Sequence, residues 1–395
     1  MKVAVVGLGM AGLPLACVIA DTGFTVVGVD LDQQRCNLIN EGKNPIPEEQ
    51  GLDALIQKHG GSTVQATTKI TDAKTCTLFI IIVPLFIDEQ HNPVFHQLET
   101  AFQSVGSVLK KGDCVVLETT VPPTTTETKG RQWLEQASGL VLGDFYLAYS
   151  PERIMTGVSV SRLREFPKII GGVNTKSGDV AYQLYKQFIP HLSSVSSARL
   201  AEFIKVIEGC YRFTNIALAN ELYLLSQEYQ LDFDEARTHA NHEFCHIHEQ
   251  STGVGGHCIP VYPWFLMKHM EEQGKKECTK VLQASYHVND EMIQYWADRI
   301  ITRCQTLEIP LEQVTICIQG ISFRKGIKNT YYSRNLALAR LLMKKGMHVV
   351  IEDPLFSAQE IQKLGLTEGS SENADVIFNP FELQLIIQEK NSTLL

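Results

Sequence analysis

The sequence predicts an α/β chain in which two open, mostly parallel sheets flank a helical middle. Three observations predict it. Short apolar runs rich in Val and Ile recur over residues 2–149 and again over 314–379, the pattern of strands buried on both faces. A glycine-rich turn joins the first of these runs to an apolar helix. Between the two strand-bearing regions, helical periodicity continues unbroken from Ala198 to about Tyr229. A length of 395 residues implies two or three domains rather than one core. The boundaries read here are 1–195, 196–300 and 301–395.

Composition is that of a globular protein, 44% hydrophobic and 20% charged. A net charge of -9 argues against nonspecific binding to nucleic acid or to an anionic membrane surface. No apolar run approaches the roughly 20 residues needed to span a bilayer. The chain opens Met1-Lys2 and enters a Val-rich strand, so no secretory signal is expected. Ten cysteines without framework spacing then read as reduced thiols in a cytoplasm.

Lys2-Val3-Ala4-Val5-Val6 reads as the first strand. Gly7-Leu8-Gly9-Met10-Ala11-Gly12 follows, then an apolar helix through Ala20. Thr25 to Val29 forms a second strand that ends in Asp30, 18 positions after Gly12. A GxGxxG between strand and helix, with an acid at this distance, marks a Rossmann dinucleotide site. The glycines admit a pyrophosphate to the helix N-terminus, where N–H groups point at the anion. Asp30 would bind a ribose hydroxyl and repel a 2′-phosphate, which favours NAD over NADP. The cofactor set read here is Gly7, Gly9, Met10, Ala11, Gly12, Asp30, Arg35, Val83, Pro84 and Thr120. Further strands read at Thr77–Pro84, Asp113–Glu118 and Phe145–Tyr149. Ligands of open parallel sheets sit at the carboxyl ends of the strands. Thr120 and Glu152 are site candidates by that position, with ordinary loop capping as the alternative.

The helix from Ala198 is about 45 Å long at 1.5 Å per residue, a spine between domains. Lys205 lies among its apolar positions Phe203, Ile204 and Ile207. It either snorkels outward or keeps its charge near a site. Gly209 inside the helix costs about 1 kcal/mol relative to alanine, with no reason visible in the sequence. Further on, Gly253-Val254-Gly255-Gly256-His257-Cys258-Ile259-Pro260 presents a thiol at the end of a loop whose missing Cβ atoms let backbone crowd a ligand. The alternative is a glycine turn that happens to precede a buried cysteine. His239, His242, Cys245, His246, His248, His257 and Cys258 raise the question of a metal, but without a CxxC pair the spacing fits no usual zinc pattern, and none is expected.

In the last region, Val314–Gly320, His348–Pro354 and Ala374–Asn379 read as strands, and Asn335–Lys345 as a helix stopped by Gly346. This second α/β unit lacks GxGxxG.

Taken together, these stretches resemble the nucleotide-sugar 6-dehydrogenase family over essentially the whole chain. The resemblance rests on the Val6–Ala16 segment with Val29-Asp30, on Glu118-Thr119-Thr120-Val121-Pro122-Pro123, and on Tyr149-Ser150-Pro151-Glu152-Arg153. It continues through Ile170-Gly171-Gly172, Asn215–Glu221 and, most specifically, Gly253–Val261, whose form is closest to the N-acetylhexosamine branch. The resemblance implies an N-terminal Rossmann domain, a central helical dimerisation domain on the spine helix, a C-terminal Rossmann-like domain and a homodimer. It implies oxidation of C6 of a nucleotide-bound sugar to the acid with two NAD in succession. Cys258 would carry a thiohemiacetal and then a thioester, Lys205 would stabilise an oxyanion, and Glu152 with Thr120 would position and deprotonate water. Glu152, Arg153, Lys205, Gly253, Gly255, Gly256, Arg324 and Lys325 are the substrate-binding set.

Several positions depart from the family pattern. Gly209 stands where an Asn follows the spine Lys by one turn, and Tyr262 replaces the acid of CIPVDP. His242-Glu243-Phe244 replaces HPR, and Phe323–Tyr331 lacks the Asp pair and arginine of FKxxTDDxR while adding Arg324, Lys325 and Lys328. The NAD half and the cysteine loop are kept, so an altered substrate is expected. Two rivals remain open: a binding protein that has lost turnover, and a two-electron dehydrogenase of the 3-hydroxyacid type.

Overall fold

The computed structural model describes residues 1–307 and 309–388. Two compact units emerge. The first holds Met1–Glu208 with Trp264–His269, and the second holds Gly209–Pro263 with the described residues from Met270 onward.

The strands of the first unit are β1 (Lys2–Val6), β2 (Thr25–Val29), β3 (Val64–Thr67), β4 (Leu78–Ile81), β5 (Phe86–Ile87), β6 (Pro93–Val94), β7 (Cys114–Leu117), β8 (Tyr146–Tyr149), β9 (Lys168–Gly172) and β10 (Leu192–Ser194). Eight of them form one sheet in the order β10-β9-β8-β7-β4-β1-β2-β3, and β5 with β6 makes a separate hairpin. Pairing in the large sheet is parallel, except where β9 runs antiparallel to β8. The continuous apolar runs have the reason expected of them: both faces are buried. Val3 and Val5 belong to one core and Ala4 and Val6 to the other, so alternate side chains of β1 feed opposite helical layers.

In the second unit, β11 (Thr315–Gln319), β12 (His348–Glu352), β13 (Thr367–Glu368), β14 (Val376–Asn379) and β15 (Gln384–Ile387) form a sheet ordered β13-β12-β11-β14-β15. Only β14 and β15 pair antiparallel. Two helices, Lys280–Cys304 and Arg334–Lys344, cover it. Met292, Trp296, Ile300, Leu338 and Leu342 pack with Ile316 and Ile318 in a single core.

The spine helix spans Ala198–Glu228, 31 residues. Leu200, Phe203, Ile207, Tyr211, Leu218, Leu225 and Tyr229 are exposed along or just beyond it. Their spacing is that of one helical stripe. Among the described residues, no helix is long and apolar enough to cross a membrane.

Candidate active site

At the end of β1 the chain turns through Gly7, whose φ of +99° suits glycine. A Cβ on Gly7 would lie 2.6 Å from the Ile82 carbonyl oxygen, and one on Gly12 would overlap the Gly7 carbonyl outright. These two glycines let the helix Gly12–Asp21 sit directly on the strand end. A Cβ on Gly9 would meet nothing within 4 Å, so its backbone lies open at the carboxyl edge of the sheet. Asp30 stands beside it: the Leu8 N–H donates to its Oδ2 at 2.7 Å and the Asp32 N–H to its Oδ1 at 3.0 Å. Arg35 reaches the same carboxylate at 3.3 Å. Open backbone at a helix N-terminus, next to an oriented acid on the adjacent strand, fits a dinucleotide whose ribose lies at Asp30. Val83 is drawn to this edge, where its carbonyl accepts from the Thr119 hydroxyl at 2.6 Å.

Further along the same edge, the loops after β7 and β8 carry a buried charge network. Glu118 is fully buried and accepts from Lys168 Nζ at 2.8 Å and from the Tyr185 hydroxyl at 2.7 Å. Lys168 also donates to the Pro151 carbonyl at 3.2 Å, which fixes the loop that bears Glu152. The Glu152 carboxyl accepts from the Ile154 N–H. Burial pushes its pKa above the usual carboxylate range, while the charges of Lys205 and Lys168 oppose that rise. The Lys205 ammonium thus lies near enough to Glu152 to act on it. Thr120 lies against the Tyr149 phenol, which burial drives well above its ordinary value. Arg153, expected at the substrate, is paired with Glu208 and donates to the Pro167 carbonyl at 3.1 Å.

Sequence reading missed Lys168, Tyr185 and Glu202. Glu202 is buried and accepts from the Thr126 N–H at 2.8 Å and from the Thr124 N–H and Thr126 hydroxyl at 2.6 Å each. It thus ties the loop after Pro122-Pro123 to the spine helix. The available signal was a charged residue inside an apolar stretch, Lys168 before Ile169-Ile170 and Glu202 beside Ala201, and neither was read.

In the second unit, Gly253 and Gly256 have φ of +119° and +90°. The room left by the missing Cβ atoms is taken by the chain itself. A Cβ on Gly255 would lie 3.0 Å from Phe323 Cβ, and one on Gly256 2.9 Å from the Phe323 ring. A Cβ on Gly253 would lie 3.1 Å from both Asn289 Oδ1 and Arg334 Nε. The loop is further held by the Val254 N–H on Asn289 Oδ1 at 2.5 Å and the Gly256 N–H on the Tyr331 carbonyl at 3.0 Å. Its glycines therefore serve a tight internal anchor that fixes the residues that follow.

Those residues are His257 and Cys258. The Cys258 carbonyl accepts from the N–H groups of Val261 and Tyr262 at 3.0 and 3.1 Å, a turn that opens the helix Tyr262–Glu272. Cys258 is half-buried, whereas Cys17, Cys114, Cys210 and Cys317 are buried, with pKa pushed up to about 12. A hydrogen bond to the Cys258 side chain raises the pKa of His257, which favours an imidazolium beside the sulfur. Gly209 also finds its reason here. A Cβ at that position would lie 3.0 Å from Tyr262 Cβ and closer still to its Cδ2, so the ring of Tyr262 rests on bare helix backbone.

The basic loop is engaged as well, with Lys325 on Glu382 at 3.0 Å and Lys328 on Glu360 at 2.7 Å. Lys325 lines a cavity of about 940 Å³ at the carboxyl ends of β11, β12 and β14, together with Gly320, Glu352, Asp353 and Ser370. In the histidine-rich stretch, His242 and Cys245 pair through backbone. Among the described residues, no three His, Cys, Asp or Glu side chains converge as a metal-holding group.

Comparison with known proteins decides the family. Residues 1–189 match the NAD binding domain of the UDP-glucose/GDP-mannose dehydrogenase family, and residues 199–291 match its central domain. The chain belongs to this family. It is accordingly an NAD-dependent nucleotide-sugar dehydrogenase, and NAD is the cofactor of its first unit. A UDP-N-acetyl-D-mannosamine dehydrogenase of Pyrococcus horikoshii is 34% identical over 90% of this chain and 84% of its own. A UDP-N-acetyl-D-glucosamine 6-dehydrogenase of Pseudomonas aeruginosa is 32% identical over 93% and 86%. The solved structure of a UDP-D-ManNAc dehydrogenase from Pyrococcus horikoshii matches with a TM-score of 0.88 at 32% identity, covering 96% of this chain and 89% of that one. A UDP-glucose dehydrogenase structure from Pyrobaculum islandicum, 22% identical over 96% of this chain and 89% of that one, has a TM-score of 0.87 and shares the fold.

Proposed function

We propose that this dehydrogenase oxidises C6 of a UDP-N-acetylhexosamine from alcohol to carboxylic acid through a covalent thioester on Cys258. NAD bound at the glycine turn supplies the chemistry of hydride acceptance, once per oxidation step. The observation that carries the reading is the half-buried Cys258, fixed by the anchored glycine loop and hydrogen-bonded to His257, in a chain where Cys17, Cys36, Cys76, Cys114, Cys210, Cys304 and Cys317 are all buried.

In the first step the C6 hydroxyl gives up its proton to a base and C6 loses a hydride, which leaves the aldehyde. The Cys258 thiolate then adds to the aldehyde carbon, forming a C–S bond, and the carbonyl oxygen becomes the oxyanion of a thiohemiacetal. Lys205 stabilises that charge, a task in which a fixed cation is worth several kcal/mol. Loss of a second hydride from C6 leaves the thioester. Glu152, with its raised pKa, takes a proton from water held with Thr120. The hydroxide attacks the acyl carbon, the C–S bond breaks, and the thiolate and the acid are released. Arg153, Arg324 and Lys325 belong to the substrate-binding set of this proposal, as do the backbones of Gly253, Gly255 and Gly256.

The exposed apolar stripe along the spine helix supports a homodimer packed through that face.

Counting NADH tests the reaction. Two NADH per sugar, with acid formed, are expected from UDP-N-acetylhexosamines. Cys258→Ser should stop after the first. No NADH with any nucleotide sugar, despite NAD binding, would leave a binding protein instead.

A further inference from the structure

We infer that Glu202 is a positioning residue for the hydrolytic half of the reaction. Its carboxylate holds the loop that carries Thr120, from the same face of the spine helix whose Lys205 acts on Glu152. The inference rests on the reaction proposed above and adds to it a residue that works through another.

A fully buried acid in an apolar turn of helix needs partners, because an ionised carboxylate without them is costly to bury. Those of Glu202 come from one short segment. Its Oε2 accepts from the Thr124 N–H at 2.6 Å, and its Oε1 from the Thr126 N–H at 2.8 Å and the Thr126 hydroxyl at 2.6 Å. Thr124 is the strained point of that segment. Its φ is +83°. Such a conformation costs a β-branched residue about 1–3 kcal/mol and persists only where the surroundings impose it. The bond from its own N–H to Glu202 imposes it. On the near side, the Thr125 N–H and hydroxyl both donate to the Pro122 carbonyl, at 3.2 and 2.6 Å. Val121 is fully buried, and the Thr119 hydroxyl is bound to the Val83 carbonyl at 2.6 Å. Thr120 therefore lies in a span pinned at Thr119 and at Thr124.

Lys205 follows Glu202 by three residues, and Glu208 follows Lys205 by three, so each pair are neighbours on the helix surface. The Lys205 charge acts on Glu152, and Glu208 pairs with Arg153. Two turns of one helix thus hold both loops that hydrolysis uses. The buried Tyr149 phenol responds to both: after burial, the charges of Glu202, Glu118 and Glu152 raise its pKa, and Thr120 lies against it. Water held with Thr120 and deprotonated by Glu152 reaches the acyl carbon only when the two groups are in register, and a misplacement of about 1 Å costs about 100-fold. Glutamine at position 202 keeps the volume but offers a single acceptor oxygen. One of the two N–H groups is then left facing an N–H2, the strained turn relaxes, and Thr120 moves with it.

Rapid-mixing kinetics on the full chain, with NAD and with UDP-ManNAc and UDP-GlcNAc in parallel, test this. Glu202→Gln should lower kcat about 10–100-fold. It should also release a burst of two NADH per site before the slow phase, because the thioester forms and waits for water. Thr124→Gly in the Glu202→Gln background should recover about fivefold of kcat or more, since glycine holds a positive φ unaided. A folded Glu202→Gln enzyme within about twofold of the wild-type kcat overturns the inference, as does slowing without the burst or no recovery with glycine. Where Glu202→Gln does not fold, Glu202→Asp replaces it. That variant keeps the carboxylate and shortens its reach, so the same burst with a smaller loss is expected, and an unchanged kcat overturns the inference. If the wild type turns over no sugar, it is the proposed reaction that fails. Crystal structures of the wild type and Glu202→Gln then decide the pinning: Thr124 out of positive φ with Thr120 displaced supports it, and a superposable Thr119–Thr126 segment overturns it.

Discussion

Lys168→Met removes the cation that both neutralises Glu118 and holds the Glu152 loop. The ammonium lies 2.8 Å from Glu118 Oε2, with side-chain exposures of 6% and 0%. Methionine keeps most of the volume but leaves the Glu118 carboxylate with the Tyr185 hydroxyl and the Pro151 carbonyl without the Lys168 donor. Breaking a buried pair by removing one partner costs about 3–5 kcal/mol, because the remaining charge is stranded. At roughly 2–4 °C per kcal/mol for a unit of this size, Tm should fall by about 6–20 °C. The double variant Lys168→Met, Glu118→Gln should recover part of that loss, since an amide strands no charge. Kinetics add a second readout. The Lys168 charge lowers the Glu152 pKa against the rise caused by burial. Without Lys168 the carboxyl rises further, and a base works only above its pKa. The acid limb of the pH–rate profile must therefore move to higher pH. Calorimetry and a pH series of initial rates measure the two effects. A loss under about 1 kcal/mol, or an acid limb that stays in place, would refute the reasoning.

Three further outcomes are expected. Asp30→Ala should weaken NAD by about 10–100-fold, the worth of a hydrogen bond to a charged group, and narrow the preference over NADP because Arg35 loses its carboxylate partner; isothermal titration with both cofactors checks it. Leu218→Asp, 48% exposed on the spine helix, should turn a dimer into monomer in light scattering without lowering helix content, whereas a wild-type monomer would end the dimer proposal. Glu202→Gln should remove a pH dependence of folding. Burial raises the Glu202 carboxyl from 4.5 to about 7 against three hydrogen bonds that lower it, so the folded state binds the extra proton. That contribution is fully present below about pH 4.5 and is lost as pH rises through 7, and urea unfolding from pH 4 to 8 should flatten in the variant.

The N-terminal strands, the glycine turn and the spine helix were legible because each follows from local pattern. Parallel strands buried on both faces read as apolar runs, and Gly7, Gly12 and Asp30 stand at a spacing fixed by the turn. Antiparallel β9, the β5–β6 hairpin and the helix Lys280–Cys304 were not read. Their sequences are mixed, and tertiary pairing decides them. The anchor of the cysteine loop was hidden for another reason. Its partners Phe323, Asn289 and Arg334 are distant in sequence, and nothing local tells a glycine that admits a ligand from one that admits a phenylalanine. Gly209 and Tyr262 were each visible as oddities, and only their contact explains both.

The same backbone device ends the first strand of both sheets, and comparing the two explains why one of them alone reads as a dinucleotide site. Gly7 and Gly320 follow β1 and β11 with φ of +99° and +105°. The next N–H, of Leu8 or Ile321, donates at 2.7 or 2.9 Å to the acid after the neighbouring strand, Asp30 or Asp353. From there the chains diverge. Gly9 and Gly12 have Ser322 and Lys325 as counterparts, so the helix cannot start on the strand end, and it waits until Arg334. The bare face of Gly320, moreover, is covered by the Phe381 ring. With a helix N-terminus absent from that turn, the pyrophosphate loses its row of N–H donors, and Lys325 lies at the cavity in its place. A lysine offers a point charge where the first unit offers oriented dipoles. The second sheet therefore lacks the feature that makes the first a dinucleotide site, a row of N–H donors aimed from a helix that starts on the strand end.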